Sequence, residues 1–172
     1  MSNITILINL QNCSIFRRDK MATIQDLIDS IDNVLQHPLG ILTYKNSSFA
    51  YGKIYEAYVF CLCLRAIHEL NVIPSYRGIN GAPNPFVFRG APGKISSKSR
   101  NYGYVEFKMK EHSFEIHTGI EFRGTSGMTH ELDICIMRAS EARSCRESTQ
   151  DPPPASLIGG WECKFYSGKL HK

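Results

Sequence analysis

The sequence predicts an α/β domain: helices come first, and a run of strands follows. Three observations carry this expectation. Two helical patterns fill much of the first seventy residues, apolar alternation dominates after residue 102, and 172 residues suffice for one domain with a real core. Residues 1–48 read as an N-terminal helical element and residues 49–172 as the main domain.

Each element follows from its local pattern. The Ile4–Leu10 run is apolar but too short for a signal peptide or a membrane span, and it reads as a strand. Ile24, Leu27, Ile28, Ile31, Val34 and Leu35 form a stripe with helical period. Thr23 and Asp26 supply a capping-box pattern before it, and Pro38 and Gly40 end it. After a polar stretch around Lys45–Ser48, Tyr51–Leu70 is apolar on most sides and predicts a largely buried helix, stopped by Asn71 and Pro74. Ser75–Gly93 is rich in Gly, Pro and Asn, with Phe86–Phe88 as a short strand inside it, and Ile95–Asn101 reads as an exposed loop. Tyr102–Lys108 and Ser113–Arg123 alternate as a hairpin around a turn at Lys110–His112. Gly124–Gly127 is a turn and Glu131–Arg138 the next strand. Ser140–Ser156 is polar, runs into three prolines, and predicts a mobile insertion. Leu157–Tyr166 is the last strand, with Gly159-Gly160 marking a bulge or a close backbone approach.

Bulk properties narrow the function classes. A net charge of +4 and a pI near 8.7 suit a nucleic-acid partner without requiring one. Six cysteines show neither a Cys-x-x-Cys pair nor zinc-type histidine spacing, and four lie in apolar runs as small hydrophobes. Without a signal peptide or a membrane-length apolar run, the expectation is a cytoplasmic protein with reduced thiols.

Two strings carry chemistry. Glu131–Ile136 and Trp161–Tyr166 are mostly apolar strands with ionisable residues in the middle, and a buried carboxylate needs a cation or a partner. Alternation puts Glu162 and Lys164 on one face and Cys163 on the other. If the strands are neighbours, Asp133 joins them, so two hard oxygen ligands and an ammonium converge. That set suits a divalent cation handling a phosphate. The competing reading is an ion-pair network in which both carboxylates pair with Lys or Arg. Glu131 shares the face of Asp133, and Glu131 and Glu121 are candidate supporting acceptors. His130 reads as a solvated turn residue.

Asp133 followed by Glu162-x-Lys164 resembles the signature of the PD-(D/E)XK nuclease superfamily, the restriction-endonuclease-like fold. The resemblance covers roughly Tyr51 to the C-terminus, and Leu132 stands where the family name has Pro. It implies an αβββ core with a mixed central sheet flanked by helices. The helix and strand that should follow the third strand have no room before Lys172. The chain is therefore expected to be a fragment of a longer protein, or to be completed by its N-terminal segment or a second copy in a homodimer. The resemblance further implies hydrolysis of nucleic-acid phosphodiesters with Mg²⁺, or Mn²⁺ in its place, DNA ahead of RNA and endonuclease ahead of exonuclease. Asp133, Glu162 and the backbone carbonyl of Cys163 would hold the metal, Lys164 would orient or deprotonate the attacking water, and Glu56 would reach the metal through water. Lys94, Lys98, Arg100, Lys108 and Lys169 would neutralise phosphates, and Tyr166 would meet the nucleic-acid backbone. The alternative is a catalytically inactive nucleic-acid-binding or assembly module on the same fold.

Overall fold

The computed structural model describes residues 23–36, 44–46 and 51–164. The Ile4–Leu10 run, Tyr166 and Lys169 lie outside the described residues.

Helix α1 (Ile24–Gln36) starts where the capping pattern places it: Thr23 Oγ1 accepts from the Asp26 amide at 3.2 Å, and Asp26 Oδ2 accepts from the Thr23 amide at 2.7 Å. Its buried residues Leu27, Ile31 and Leu35 recur every fourth position and share one core with helix α2 (Tyr51–Glu69). The α2 sequence is apolar nearly all round because it is covered twice, by α1 and by a sheet. Asn71, in the left-handed region at φ 56°, turns the chain out of the helix.

The main sheet has five strands in the order β2-β4-β5-β6-β7: β2 (Ser75–Gly78), β4 (Gly103–Met109), β5 (His112–Arg123), β6 (Thr129–Arg138) and β7 (Leu157–Trp161). Every pairing in it is antiparallel. The expected mixed sheet is therefore corrected. Parallel pairing between named strands is confined to a separate two-stranded sheet of β1 (Tyr44–Asn46) and β3 (Phe86–Phe88). The polar reading around Lys45 missed β1, and Ser75–Gly78 was hidden in a Gly/Pro-rich stretch.

The Ser140–Ser156 segment is not a mobile insertion. Helix α3 (Ala139–Ser148) follows β6 directly and ends at Thr149, a left-handed cap at φ 57°. It buries only Ala139, Ala142 and Cys145, a narrow stripe of small residues. Small residues let a helix lie close to a sheet while most of its sequence stays polar, so composition reads it as solvent-exposed. Ser156 then fixes the following turn, its amide and hydroxyl both donating to the Pro153 carbonyl.

α2 and α3 cover opposite faces of the sheet. Val105, Phe107, Phe114, Ile116, Ile134 and Ile136 pack with α2. Ile95, Ile120, Phe122, Cys135, Met137, Ala142 and Cys145 form a second cluster on the α3 side. Two-sided cover explains why β5 is buried without interruption from Phe114 to Ile120. Ile95 belongs to that second cluster, so the loop expected to be exposed is anchored at its first residue. The molecule is thus a mixed α/β structure of three helices and a five-stranded antiparallel sheet among the described residues.

Candidate active site

Strict alternation along β6 would put Asp133 on the face of Cys135 and Met137, under α3. The structure breaks that alternation. Ile134 and Ile136 pack on the α2 side, yet Leu132 packs with the α3-side cluster. β5 changes face at the same level: Phe114 and Ile116 lie on the α2 side, Ile120 and Phe122 on the α3 side. The pivot is Gly119, at φ 58°, a conformation that a side chain disfavours. It lies opposite Asp133, since Thr118 pairs with Ile134 and Ile120 with Leu132. The kink turns Glu121, Glu131 and Asp133 away from α3 and toward α2.

There they meet the first turns of α2. Lys53 Nζ lies 2.8 Å from Glu56 Oε2 and 3.8 Å from Glu131 Oε1, bridging a helix carboxylate and a strand carboxylate. Asp133 Oδ2 accepts the Cys163 amide at 2.5 Å, which ties β6 to the chain leaving β7. Glu131 Oε1 is buried and has no hydrogen-bond partner among the described residues. Glu131 and Glu121 are cross-strand partners, so three strand carboxylates crowd one patch.

The predicted Glu162-x-Lys164 strand segment is corrected. β7 ends at Trp161, and Glu162 and Lys164 lie just beyond it with their side chains about two-thirds exposed. Lys164 Nζ stands 3.6 Å from Glu162 Oε2. The ladder stops at the Ile134–Trp161 pair, beyond which the Cys163 amide goes to the Asp133 side chain, and Ile158 is an extra residue at the other end of the strand: Ile136 pairs with Gly159 but Met137 with Leu157. Gly160 marks a close approach, since a Cβ there would stand 2.8 Å from a Leu132 methyl. Asp133 and the Cys163 backbone are therefore together, with Glu162 and Lys164 at the rim. Among the described residues no three His, Cys, Asp or Glu side chains are grouped to hold a metal as they stand.

Electrostatics mark the same patch. Glu56 is 7% exposed and its carboxyl is pushed up to about 7, first by burial and then by the charges of Asp133 and Glu131, with Lys53 opposing. Burial works against the Lys53 charge, but the Glu56 hydrogen bond and the charges of Glu56, Glu131 and Asp133 outweigh it and raise its pKa. Burial, then Asp133 and Glu56, push the Cys163 thiol up to about 12. Sequence reasoning named Glu56, Glu131, Asp133 and Cys163 but missed Lys53. The available signal was its position one turn before Glu56 on the same helix face.

The basic residues separate. Gly93 bridges to Ile120 of β5, so the loop carrying Lys94, Lys98 and Arg100 starts at the level of Asp133, and all three are exposed. Lys108 pairs with Ser113, six residues along β5 from Gly119, about 20 Å away at strand rise. It does not belong to this patch.

A second polar group sits under α3, and sequence reasoning missed it. Arg146 Nη1 and Nη2 donate to Glu115 Oε2 and Oε1 at 2.5 and 2.8 Å, and His117 Nε2 lies 2.7 Å from Glu115 Oε2. Tyr104 stacks on His117 and carries the Arg146 guanidinium over its ring. Burial alone would raise the Glu115 carboxyl, but the Arg146 fork and the His117 contact bring it down to about 2. Burial also lowers the pKa of His117. Nearby Arg89 is 5% exposed, sits over the Tyr102 ring, and has one nitrogen without a hydrogen-bond partner among the described residues.

No protein-family model, curated protein or solved structure matches this chain. Among the described residues no helix is long and apolar enough to cross a membrane.

Proposed function

We propose that this chain is a metal-dependent phosphodiesterase acting on nucleic acid, DNA ahead of RNA, on a domain similar to the restriction-endonuclease-like fold. The observation that carries the reading is the meeting of Glu56 from α2 with Glu131 and Asp133 from β6, beside the Cys163 backbone and the Glu162–Lys164 pair. These groups come from distant parts of the chain, and the Gly119 kink turns the strand carboxylates toward the helix carboxylate.

The donor set fits a hard divalent cation. It is made of carboxylate oxygens, and Glu131 Oε1 is buried without a hydrogen-bond partner among the described residues. Mg²⁺ or Mn²⁺, when bound, would supply the Lewis acidity that polarises a phosphate and readies water for in-line attack. The chain's own groups have separate tasks. Asp133, Glu56 and Glu131 would hold and orient the cation, with Glu162 at the rim beside them. The Cys163 amide fixes the Asp133 carboxylate. Burial and the neighbouring carboxylates push the Glu56 carboxyl up to about 7 in the metal-free protein, so a cation binding there would also drive off its proton. Lys164 offsets negative charge developing on the phosphate. Lys94, Lys98 and Arg100 offer charge to the nucleic-acid backbone.

The test is cleavage of plasmid and single-stranded DNA with Mg²⁺, Mn²⁺ or EDTA, for the wild type and Asp133→Asn. Nicking that needs the metal and disappears in the variant supports the proposal. DNA binding without cleavage under any metal favours the inactive binding module instead. Loss of both binding and cleavage in a folded wild type leaves the ion-pair network as the reading of the patch.

A further inference from the structure

Lys53 is unexpected in a cation-binding patch. Its ammonium already does what a divalent cation would do there: it neutralises Glu56 at 2.8 Å and faces Glu131 at 3.8 Å. Counting formal charges, Glu56, Glu131 and Asp133 give −3 and Lys53 gives +1, leaving −2. Lys53 projects from the first turns of α2, and its side chain is 18% exposed. Nothing else basic on the described elements forms an ion pair with Glu56 or Glu131. Lys164 is engaged with Glu162 at the rim instead.

We infer that Lys53 is a built-in competitor for the cation: its ammonium and a divalent metal ion are alternative occupants of the Glu56–Glu131 pair. The inference rests on the metal-dependent reading above and adds to it a residue that sets metal affinity. Two positive groups cannot share those oxygens at ligand distance, because like charges a few ångströms apart repel strongly in a partly desolvated site. Metal entry therefore requires the Glu56–Lys53 hydrogen bond to break and the flexible lysine stem to swing toward solvent. In the metal-free protein Lys53 offsets part of the carboxylate charge, and the site loads only when the cation outcompetes the tethered ammonium. After displacement, the ammonium remains on a four-carbon tether at the mouth of the patch, within reach of a phosphate drawn to it.

The experiment is calorimetric titration of Mn²⁺ into the metal-free full chain, wild type against Lys53→Met and Lys53→Arg, with thermal unfolding of each alongside. Lys53→Met is expected to unfold at lower temperature without metal and to bind Mn²⁺ about tenfold more tightly or better, since a charge-assisted hydrogen bond no longer has to be broken. Lys53→Arg keeps the competitor and should stay within a few-fold of the wild type. Mn²⁺ binding to Lys53→Met that is equal to or weaker than wild type overturns the inference while leaving the metal site standing. No binding to wild type or to folded Lys53→Met overturns the metal reading itself, and the inference with it. A second measurement needs no variant. Mg²⁺ titration followed by the Lys53 Nζ resonance should move it to a solvent-like value with the calorimetric affinity. A resonance unmoved at saturating Mg²⁺ overturns the inference even if Lys53→Met proves unstable.

Discussion

Replacing Arg146 tests the α3 side of the molecule most directly. Arg146 reaches from the fifth residue before the Asp-Pro-rich segment to grip Glu115 with both terminal guanidinium nitrogens, and the Glu115 side chain is only 2% exposed. In Arg146→Met the helix keeps a good helix former and most of the buried stem, but Glu115 loses its fork. A buried carboxylate stripped of its partner costs about 3–5 kcal/mol. For a chain of this size about 1 kcal/mol moves the midpoint by roughly 2–4 °C, so thermal unfolding near neutral pH should drop by about 10 °C. The pH dependence adds a second check. Glu115 is held at about 2 in the fold against 4.5 ordinarily, so its contribution is fully present above 4.5 and fades as pH falls toward 2. The gap between wild type and Arg146→Met should therefore narrow over that window. Adding Glu115→Gln to the variant should recover part of the loss, because a neutral amide is easier to bury than an unpaired charge. A loss below about 1 kcal/mol at neutral pH would refute the reasoning, since that is the worth of an exposed surface pair.

Other expectations follow from the same geometry. Between pH 7 and 4.5 the raised Glu56 and the depressed His117 act on stability with opposite signs, so acid unfolding of the wild type should set in below 4.5, where Glu115 is lost. Stability that stays flat from pH 4.5 to 3 in urea titrations contradicts the Glu115 assignment. Gly119→Ala places a Cβ at φ 58° and 3.2 Å from the Arg89 Cβ, so it should destabilise by about 1–2 kcal/mol in chemical denaturation; an unchanged midpoint would deny Gly119 its role as the pivot. Cys135 is fully buried with its thiol pushed up to about 12, so peptide mapping after iodoacetamide should find it unmodified in the native protein and modified in urea.

The sequence by itself determined the elements with strong periods. The Leu27–Ile31–Leu35 stripe, its Thr23–Asp26 cap, the all-round apolar α2 and the β4–β5–β6 alternation are local patterns, and local chemistry is enough to write them. It also named Glu56, Glu131, Asp133 and Cys163 as belonging together. What it could not write was decided by contacts between distant residues. α3 needs only three small buried side chains, too faint a stripe to outweigh its polar composition. β7 ends at Trp161, where the Asp133 side chain takes the Cys163 amide, and that leaves Glu162 and Lys164 outside the strand they were read from. The face of Asp133 depends on Gly119, fourteen residues earlier on the paired strand, because side-chain direction in a sheet is set jointly by both strands at a kink. Lys53 gained its place only once that kink had turned Glu131 toward α2. A period-two pattern fixes which neighbours along one strand share a face, and tertiary structure alone decides which face that is and what charge waits there.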